Sequence, residues 1–574
     1  MQKNRKGILM NVEKIFRIKS VEEAVSETEN APTKLKRVLG KWDVALLGIG
    51  AVIGAGIFVV TGTAAAGSAD YLGAGPAIVL SFLITGIACG FSALCYAELA
   101  SMIPISGSAY TYAYTALGEI FAWVIGWDLI LEYMVAAPAV AIGWSGYFNS
   151  FVKALFGDSF AIPPWLLNSF MSVNEAFMNP EKYVSRFADK FPDLAAGIRA
   201  ISANPDIADK ASAIAAAIAS NPDYMDPAKS SGMLLKFGNL INVAVSAPHI
   251  GGFAFAVNLP ALAVIAGLTY ILVIGVSQTS KFNNVIVALK FLILGVFIVV
   301  GIQHVDPANW IPFMPNGLKG VQTGAAIIFF AYIGFDALST TSEETKNPGK
   351  DIPFGIIVSL SVCTGLYMIV SGIMTGLCPW DRLGTPEPIA TALEYVGQNF
   401  IAHYIVSIGA VVSILAVLTV MLMAQPRILM SMSRDGFLPE WLSKIHPKWQ
   451  TPYRSTIING VIAALLSAVF SIDVFAELCN IGTLFAFVIV CLAIIVLRKK
   501  SPDTPRPFKT PFVPLVPILG ILTCVYLMTG LPVVTWIRFI VWLVVGACVY
   551  FMYGYSHTKD FSAAVPTKEK ADEK

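Results

Sequence analysis

Charged residues are scarce in this sequence. Asp, Glu, Lys and Arg make up only 13% of its 574 residues, whereas soluble domains contain about 25%. Hydrophobic residues account for 56% of the chain, and the mean hydropathy is +0.69. This composition excludes an ordinary soluble protein and indicates a lipid bilayer as the surrounding solvent. The net charge of +2 gives no reason to expect a nucleic-acid partner.

Clusters of metal-ligating or nucleophilic residues are also lacking. The eight cysteines lie within or at the ends of apolar runs, and none forms a CxxC or Cys/His cluster. We therefore expect packing residues rather than disulfides or a zinc site. The histidines are scattered, and no nucleophile–base pair occurs within an apolar run. The sequence predicts a protein that is not an enzyme and that needs no cofactor or metal.

Apolar runs long enough to cross a bilayer are abundant. A helix needs about 20 apolar residues to cross the hydrocarbon core. The predicted fold class is an all-α polytopic membrane protein with twelve transmembrane helices. We number these predicted helices as spans 1 to 12: 42–63, 76–101, 119–148, 257–277, 284–303, 321–342, 354–378, 401–425, 455–471, 475–497, 513–531 and 534–554.

Basic residues in the short connections predict the orientation. Five lie between spans 8 and 9 and five between spans 10 and 11, but none follows span 1 or span 9. Both termini are therefore expected in the cytoplasm, as an even number of helices requires. Residues 1–41, which contain ten Lys or Arg, and residues 555–574 are interpreted as cytoplasmic tails. The first of them lacks the short apolar core of a secretory signal.

A long segment, residues 152–253 between spans 3 and 4, breaks the pattern of short connections. By the predicted topology this insertion lies outside the membrane, and it contains two similar stretches at 201–206 and 218–223. Each Asn-Pro-Asp in them predicts a turn that closes one short helix and caps the next. Two explanations stay open, a tolerated surface insertion and a cap that binds an unknown partner. The lack of an Asn-x-Ser/Thr sequon in it favours a bacterial source.

Glycine is concentrated in the middle of span 1, where Gly48, Gly50, Gly54 and Gly56 fall within nine residues. Each costs ~1 kcal/mol in a helix relative to Ala. A dinucleotide-binding loop is excluded because no strand–turn–helix context exists. Two explanations remain, close packing through small residues or a helix that unwinds near residues 53–56. Unwinding would free N–H groups suited to a carboxylate and carbonyls suited to an ammonium group.

Span 6 contains a matching interruption at Gly334, within the stretch 329–336. If the chain consists of five plus five plus two helices, span 6 begins the second set. Interruptions at corresponding positions of two halves indicate a transporter site. The predicted organisation is therefore a first five-helix repeat at 42–303, which includes the insertion, a second at 304–497, and spans 11 and 12 at 498–554.

Several motifs, in order, resemble the amino acid–polyamine–organocation superfamily, in particular bacterial relatives of the cationic amino acid transporters. They are residues 48–58, 93–98, 107–114, 126–133, 330–336, 343–348, 425–428 and 434–436. The resemblance covers residues 35–555 except the insertion, which is longer than is usual in that family. It implies a five-helix inverted-repeat fold with discontinuous helices at spans 1 and 6.

The same resemblance implies where an amino acid binds. Its carboxylate would meet the backbone N–H groups of Gly54, Ala55 and Gly56. Phe330 would close over the substrate as an aromatic gate. The amine would meet the backbone carbonyls of four residues, Ile53, Phe330, Ala331 and Ile333. Such a site selects the α-amino acid head more than any side chain.

Two ionisable residues inside the spans are candidates for energy coupling. Lys290 of span 5 would cost ~2.5–3.5 kcal/mol as a cation at the helix centre. It either snorkels to the inner interface or, as the resemblance to sodium-independent members implies, holds its ammonium where sodium-coupled relatives bind an ion. Glu132 of span 3 is either a proton-relay partner or a structural hydrogen-bonding group. Asp336 and Glu98, near span ends, are expected to be structural.

Met421 of span 8 aligns, in the resemblance, with a position that lines the side-chain pocket. A bulky thioether there predicts a short pocket and small neutral substrates, whereas the alternative is a simple packing residue. The predicted function is proton-coupled symport of small neutral L-amino acids by alternating access, in the bacterial inner (plasma) membrane. The alternatives are an amino acid/amine exchanger, a cationic amino acid transporter and a transporter-like nutrient sensor.

Overall fold

The computed structural model describes residues 12–19, 37–103, 108–207, 209–224, 231–275 and 280–558. Within these ranges the chain is mostly helical, with one two-stranded hairpin in the insertion. Most of the predicted tails 1–41 and 555–574, and Gly107 of the third motif, lie outside the described residues.

Eight helices of the described chain are long and apolar enough to cross a membrane. They contain spans 1, 2, 3, 5, 7, 8, 10 and 12. Their bounds are Lys41–Ala66, Gly75–Met102, Glu119–Phe156, Asn283–His304, Pro348–Leu377, Ile401–Arg434, Ile472–Lys500 and Val533–His557. The prediction of an all-helical polytopic membrane protein is confirmed.

The other four predicted spans are helical but shorter. Spans 4, 9 and 11 correspond to Leu259–Ile274, Tyr453–Val469 and Leu515–Met528, of 16, 17 and 14 residues. Span 6 is divided into Gly317–Ile328, Phe329–Tyr332 and Asp336–Glu344. Because these segments fall short of a full apolar crossing, the count of twelve stays a prediction.

Helices of the first predicted half pack against the corresponding helices of the second half. Span 2 packs along span 7, span 3 along span 8 and span 4 along span 9, and the interrupted middle of span 1 touches that of span 6. A five-plus-five repeat predicts this pairing. The inverted relation of the two halves stays a prediction.

Buried polar contacts join helix ends at the predicted cytoplasmic side. The carboxylate of Glu98 is fully buried and accepts two hydrogen bonds from Arg498, at 2.9 and 2.8 Å, and one from the backbone N–H of Thr510 at 2.7 Å. A buried carboxylate that is paired and hydrogen-bonded in this way ties elements together. Glu98 therefore has the structural role that its position predicted.

The insertion folds around a core of its own. Its helices are Phe170–Met178, Glu181–Val184, Pro192–Ala203, Lys210–Ala219 and Gly232–Ser246, followed by the hairpin His249–Ile250 and Phe253–Ala254. Phe187, Ile198, Ile214 and Phe237 are buried between these helices. The insertion is thus a small helical unit with enough apolar surface to pack upon itself.

The two Asn-Pro-Asp turns of the insertion form as predicted, but neither caps a helix. The next described helix after the second turn, Gly232–Ser246, is capped by Ser231. The side-chain oxygens of Asn204 and Asn221 accept the backbone N–H groups of Asp206 and Asp223, at 2.9 and 3.0 Å. The helix that follows the first turn is capped by Asp209, whose carboxylate accepts the N–H of Ser212, and not by the Asp of the turn. A cap must lie directly before the helix, and that helix begins three residues later than the repeat suggested.

The insertion packs onto the membrane-spanning helices. Lys182 forms an ion pair of 2.8 Å with Asp70, after span 1, and Lys236 one of 3.3 Å with Asp473, at the start of span 10. The backbone N–H of Gly232 donates to the carboxylate of Asp381, after span 7, at 2.8 Å. The insertion is therefore held at the ends of three different spans.

Gly232 provides a test of this packing. A Cβ at this position would lie 1.7 Å from the carbonyl oxygen of Asp381, so we expect Gly232→Ala to push the helix Gly232–Ser246 off the membrane helices. Faster amide hydrogen exchange in that helix would report the displacement. Gly197→Ala is the matched control because a Cβ there meets nothing within 4 Å. Equal protection in both variants would contradict the packing.

Candidate functional site

Span 1 is interrupted where its glycines predicted. The α-helix Lys41–Val52 ends at Ile53, which has extended backbone angles (φ −72°, ψ 98°), and a π-helical turn follows at Gly56–Val60. The backbone N–H groups of Gly54, Ala55 and Gly56 have no hydrogen-bond partner among the described residues. They lie at the start of the second half of the span, where a helix dipole favours a negative charge.

Span 6 is interrupted at the corresponding place. After the turn Phe329–Tyr332, Ile333 is extended (φ −61°, ψ 134°) and Gly334 has a φ of 116°, a conformation that favours glycine. The N–H of Gly334 donates to the carboxylate of Asp336 at 3.2 Å. Asp336 thus supports the backbone at the break, in agreement with its predicted structural role.

The two breaks pack directly on each other. A Cβ on Gly56 would lie 2.2 Å from the Cα of Ala331, and one on Gly334 would lie 3.1 Å from the carbonyl oxygen of Ala51. Both explanations of the glycine cluster therefore hold, because span 1 unwinds and also approaches span 6 closely.

Side chains from other spans satisfy the carbonyls at the break of span 1. The ammonium of Lys290 donates to the carbonyls of Gly50 and Ile53, both at 2.6 Å. The hydroxyl of Tyr367 donates to the carbonyl of Val52 at 2.9 Å. Lys290 is fully buried, so its ammonium stays inside the fold at the break and does not snorkel to the interface.

A buried asparagine satisfies backbone carbonyls of span 6 in the same way. The side-chain amide of Asn480, on span 10, donates to the carbonyls of Ala326 and Ile327, both at 2.8 Å. Span 5 with Lys290 and span 10 with Asn480 thus support the two breaks in parallel ways. Asn480 was not among the predicted site residues. Its position on span 10, five spans after span 5 with Lys290, was the signal in the sequence that could have identified it.

A small cavity lies between the breaks. Its volume is about 10 Å³, which is room for about one water molecule, so its walls must move apart to admit an amino acid. The predicted residues Gly54, Ala55, Gly56, Phe330, Ile333 and Met421 line it, together with Ala51, Val52, Ala136, Val140 and Val417. Ile53 and Ala331 adjoin the cavity in the chain but do not line it.

The cavity wall contains no charged side chain. Its side chains are apolar, and the polar groups that reach it belong to the backbone. Sequence analysis did not identify Ala136, Val140 and Val417, which face the cavity from spans 3 and 8 and which no motif distinguishes from packing residues. The arrangement suits a ligand with a charged head and a small apolar side chain.

Glu132 does not line this cavity. Its carboxylate is fully buried, and neither oxygen has a hydrogen-bond partner among the described residues. The same is true of Asp128, one turn earlier on span 3. Two carboxyl groups at an i, i+4 spacing share one helix face, and this spacing was the signal for Asp128 that the sequence analysis did not use. A relay role for Glu132 stays a prediction.

The connection between spans 7 and 8 is wedged between spans 1 and 3. A Cβ on Gly62 would lie 2.1 Å from the carbonyl oxygen of Leu383, and one on Gly146 would lie 2.6 Å from Oε2 of Glu387. That oxygen is buried and has no hydrogen-bond partner among the described residues. Burial raises the pKa of Glu387 to about 7, and the neighbouring carboxylate of Glu394 adds to the rise.

Apolar membrane-crossing helices, paired breaks and a buried cavity with free backbone amides together define a multi-pass membrane transporter. A family model described as "Amino acid permease" matches residues 39–549, and the chain belongs to that family. The resemblance to the amino acid–polyamine–organocation superfamily is confirmed, and the protein is a transporter rather than an enzyme.

Three relatives illustrate the range of the similarity. The branched-chain amino acid permease BcaP of Bacillus subtilis is 43% identical over 548 residues, which cover 95% of this chain and 98% of the relative. A methylthioribose transporter of the same organism is 41% identical, with 95% and 98% covered. The vacuolar cationic amino acid transporter 4 of Arabidopsis thaliana is 32% identical, with 85% and 68% covered.

Gly56 tests the contact between the breaks. We expect Gly56→Ala to force spans 1 and 6 apart, to lower the Tm of the purified protein and to abolish uptake, because overpacking costs roughly 1–3 kcal/mol. Gly295→Ala on span 5, where a Cβ meets nothing within 4 Å, should leave the Tm unchanged or raise it. A Gly56→Ala protein with the Tm and uptake of the control would contradict the contact.

The pH dependence of stability tests the burial of Glu387 between the spans. Because its pKa in the fold is raised from 4.5 to about 7, the fold favours the neutral form, and stability falls as pH rises through this range. Glu387→Gln should therefore raise the Tm at about pH 8 and change it little at about pH 5. Asp158→Asn, at an exposed position, is the control. A gain that is equal at both pH values would contradict this assignment.

Proposed function

We propose that the protein imports small neutral L-amino acids by proton-coupled symport, through alternating access around the breaks of spans 1 and 6. The observation that carries this proposal is the set of free N–H groups at Gly54, Ala55 and Gly56 beside a buried cavity. The membrane is the bacterial inner membrane, and both termini face the cytoplasm. The Bacillus relatives and the basic connections support this location and orientation.

The amino acid head binds to backbone groups. Hydrogen bonds from three amides stabilise the substrate carboxylate, since bonds to a charged acceptor are stronger than neutral ones. The ammonium group binds to the carbonyls of Phe330, Ala331 and Ile333. The carbonyl of Ile53 already accepts Lys290, and its second lone pair is left for the substrate.

Lys290 couples the cycle to protons. Its two recorded hydrogen-bond acceptors are neutral carbonyls of span 1, and no carboxylate pairs with it among the described residues. A buried cation without a counter-ion is costly, and the two carbonyls of span 1 are the groups that hold the ammonium in place. Loss of the proton weakens the hydrogen bonds from Lys290 to the inner half of span 1, which is then able to move.

Glu132 is the proposed second group on the proton path. Its carboxylate and that of Asp128 are buried on the same span, without a hydrogen-bond partner among the described residues. Sodium has no role in this scheme, because the ammonium of Lys290 occupies the carbonyls of the break.

The apolar wall of the central cavity limits which amino acid side chains can be transported. Met421, Val417 and Phe330 present apolar surface, which suits alanine and small branched or thioether side chains. No side-chain carboxylate lines the cavity, so neither a cationic side chain nor an exchanged amine has a counter-charge there. A methylthioribose-like cargo has no carboxylate and would leave the three free amides without an anion.

Uptake into proteoliposomes tests the coupling. With an inward proton gradient, we expect the protein to accumulate neutral amino acids without sodium. Lys290→Met should lower gradient-driven uptake by about tenfold or more while it retains binding, because the buried cation is lost. Lys319→Met, at an exposed lysine, is the control. Sodium-dependent uptake, or full driven uptake by Lys290→Met, would contradict the mechanism.

Substitution of Met421 tests whether this residue restricts the substrate to small neutral side chains. Met421→Ser should enlarge the cavity and allow leucine uptake to be inhibited by lysine or arginine, with a change in selectivity of about tenfold. Met423→Ser, two residues further along span 8 and outside the cavity lining, is the matched control. If neither variant admits cationic amino acids, Met421 does not set the limit.

A further inference from the structure

A second and much larger cavity lies outside the membrane-spanning segments. Its volume is about 430 Å³, within the range of roughly 300–1,000 Å³ that small-molecule sites occupy. Three elements form its walls: the insertion helix Gly232–Ser246, the end of span 1 at Ala66 and Gly67, and the connection after span 7. It shares no lining residue with the central cavity.

The lining of this outer cavity carries balanced charges. Lys236 and Arg382 supply two positive groups, and Asp381 and Glu394 supply two negative ones. The ammonium of Lys236 is engaged by Asp473 at 3.3 Å, yet an ammonium has three donors. The carboxylate of Asp381 accepts the N–H of Gly232, yet a carboxylate has about four acceptor positions. Both ends of a ligand with two opposite charges therefore find groups of opposite sign in the lining.

We infer that the outer cavity is a binding site for a zwitterionic amino acid, built jointly by the insertion and the connection between spans 7 and 8. The inference rests on the proposed amino-acid transport. The insertion contributes Lys236, and the connection contributes Asp381, Arg382 and Glu394. The insertion thus has a function in capture of the substrate.

The position of this site links it to the central one. Ala66 ends the helix Thr61–Ala66, which continues directly from the break of span 1. Glu394 belongs to the helix Pro388–Tyr395. This helix directly follows the segment in which Leu383 and Glu387 pack against spans 1 and 3. A ligand in the outer cavity therefore contacts the segments that must move for the central cavity to open.

Equilibrium binding of radiolabelled L-leucine to the purified full-length protein tests the inference. We expect two sites per chain in the unchanged protein. Asn239→Trp, which fills the outer cavity, and Lys236→Gln, which removes a charge without adding bulk, should each leave one site. Ala219→Trp, at an exposed position of the insertion outside the cavity, should keep two.

Ala136→Leu, which places a larger side chain on the wall of the central cavity, separates this inference from the proposed function. We expect it to abolish uptake and retain the single outer site. The outer site would be overturned, and the transport proposal left standing, if the unchanged protein has one site that Ala136→Leu removes and that Asn239→Trp and Lys236→Gln leave intact. Absence of leucine binding to the unchanged protein would overturn both.

Discussion

Backbone groups buried in a membrane need hydrogen-bond partners, and the rest of this structure depends on that constraint. The breaks of spans 1 and 6 release groups that a continuous helix would pair. Lys290 and Tyr367 satisfy the carbonyls on one side of the first break, and Asn480 satisfies those of the second. The amides at residues 54–56 stay without a partner among the described residues. They are therefore available as hydrogen-bond donors to an anion.

In the proposed mechanism the same constraint connects the substrate to the energy source. The carbonyls held by Lys290 and the amides left for a carboxylate belong to neighbouring residues of one broken helix. In that mechanism a change in the charge of Lys290 acts directly on the backbone that would bind the substrate. At the predicted outer side, the connection that contains Glu387 packs between spans 1 and 3, so movement of either span must displace it.

Sequence patterns predicted the parts of this structure that depend on local chemistry. Four glycines within nine residues predicted the break of span 1, and Gly334 predicted that of span 6. The partners of the breaks were harder to predict, because a single Asn480 in an apolar span looks like any structural polar residue. The docking of the insertion rests on contacts such as Gly232 with Asp381, 149 residues apart, which no local pattern encodes.

The central claim is that the backbone of spans 1 and 6 holds the head of an amino acid. A structure of the protein with a transported amino acid bound tests it most directly. The account predicts the carboxylate within hydrogen-bonding distance of the N–H groups of Gly54, Ala55 and Gly56, and the ammonium beside the carbonyls of Phe330, Ala331 and Ile333. A substrate whose carboxylate is instead held by a charged side chain, away from residues 54–56, would contradict it.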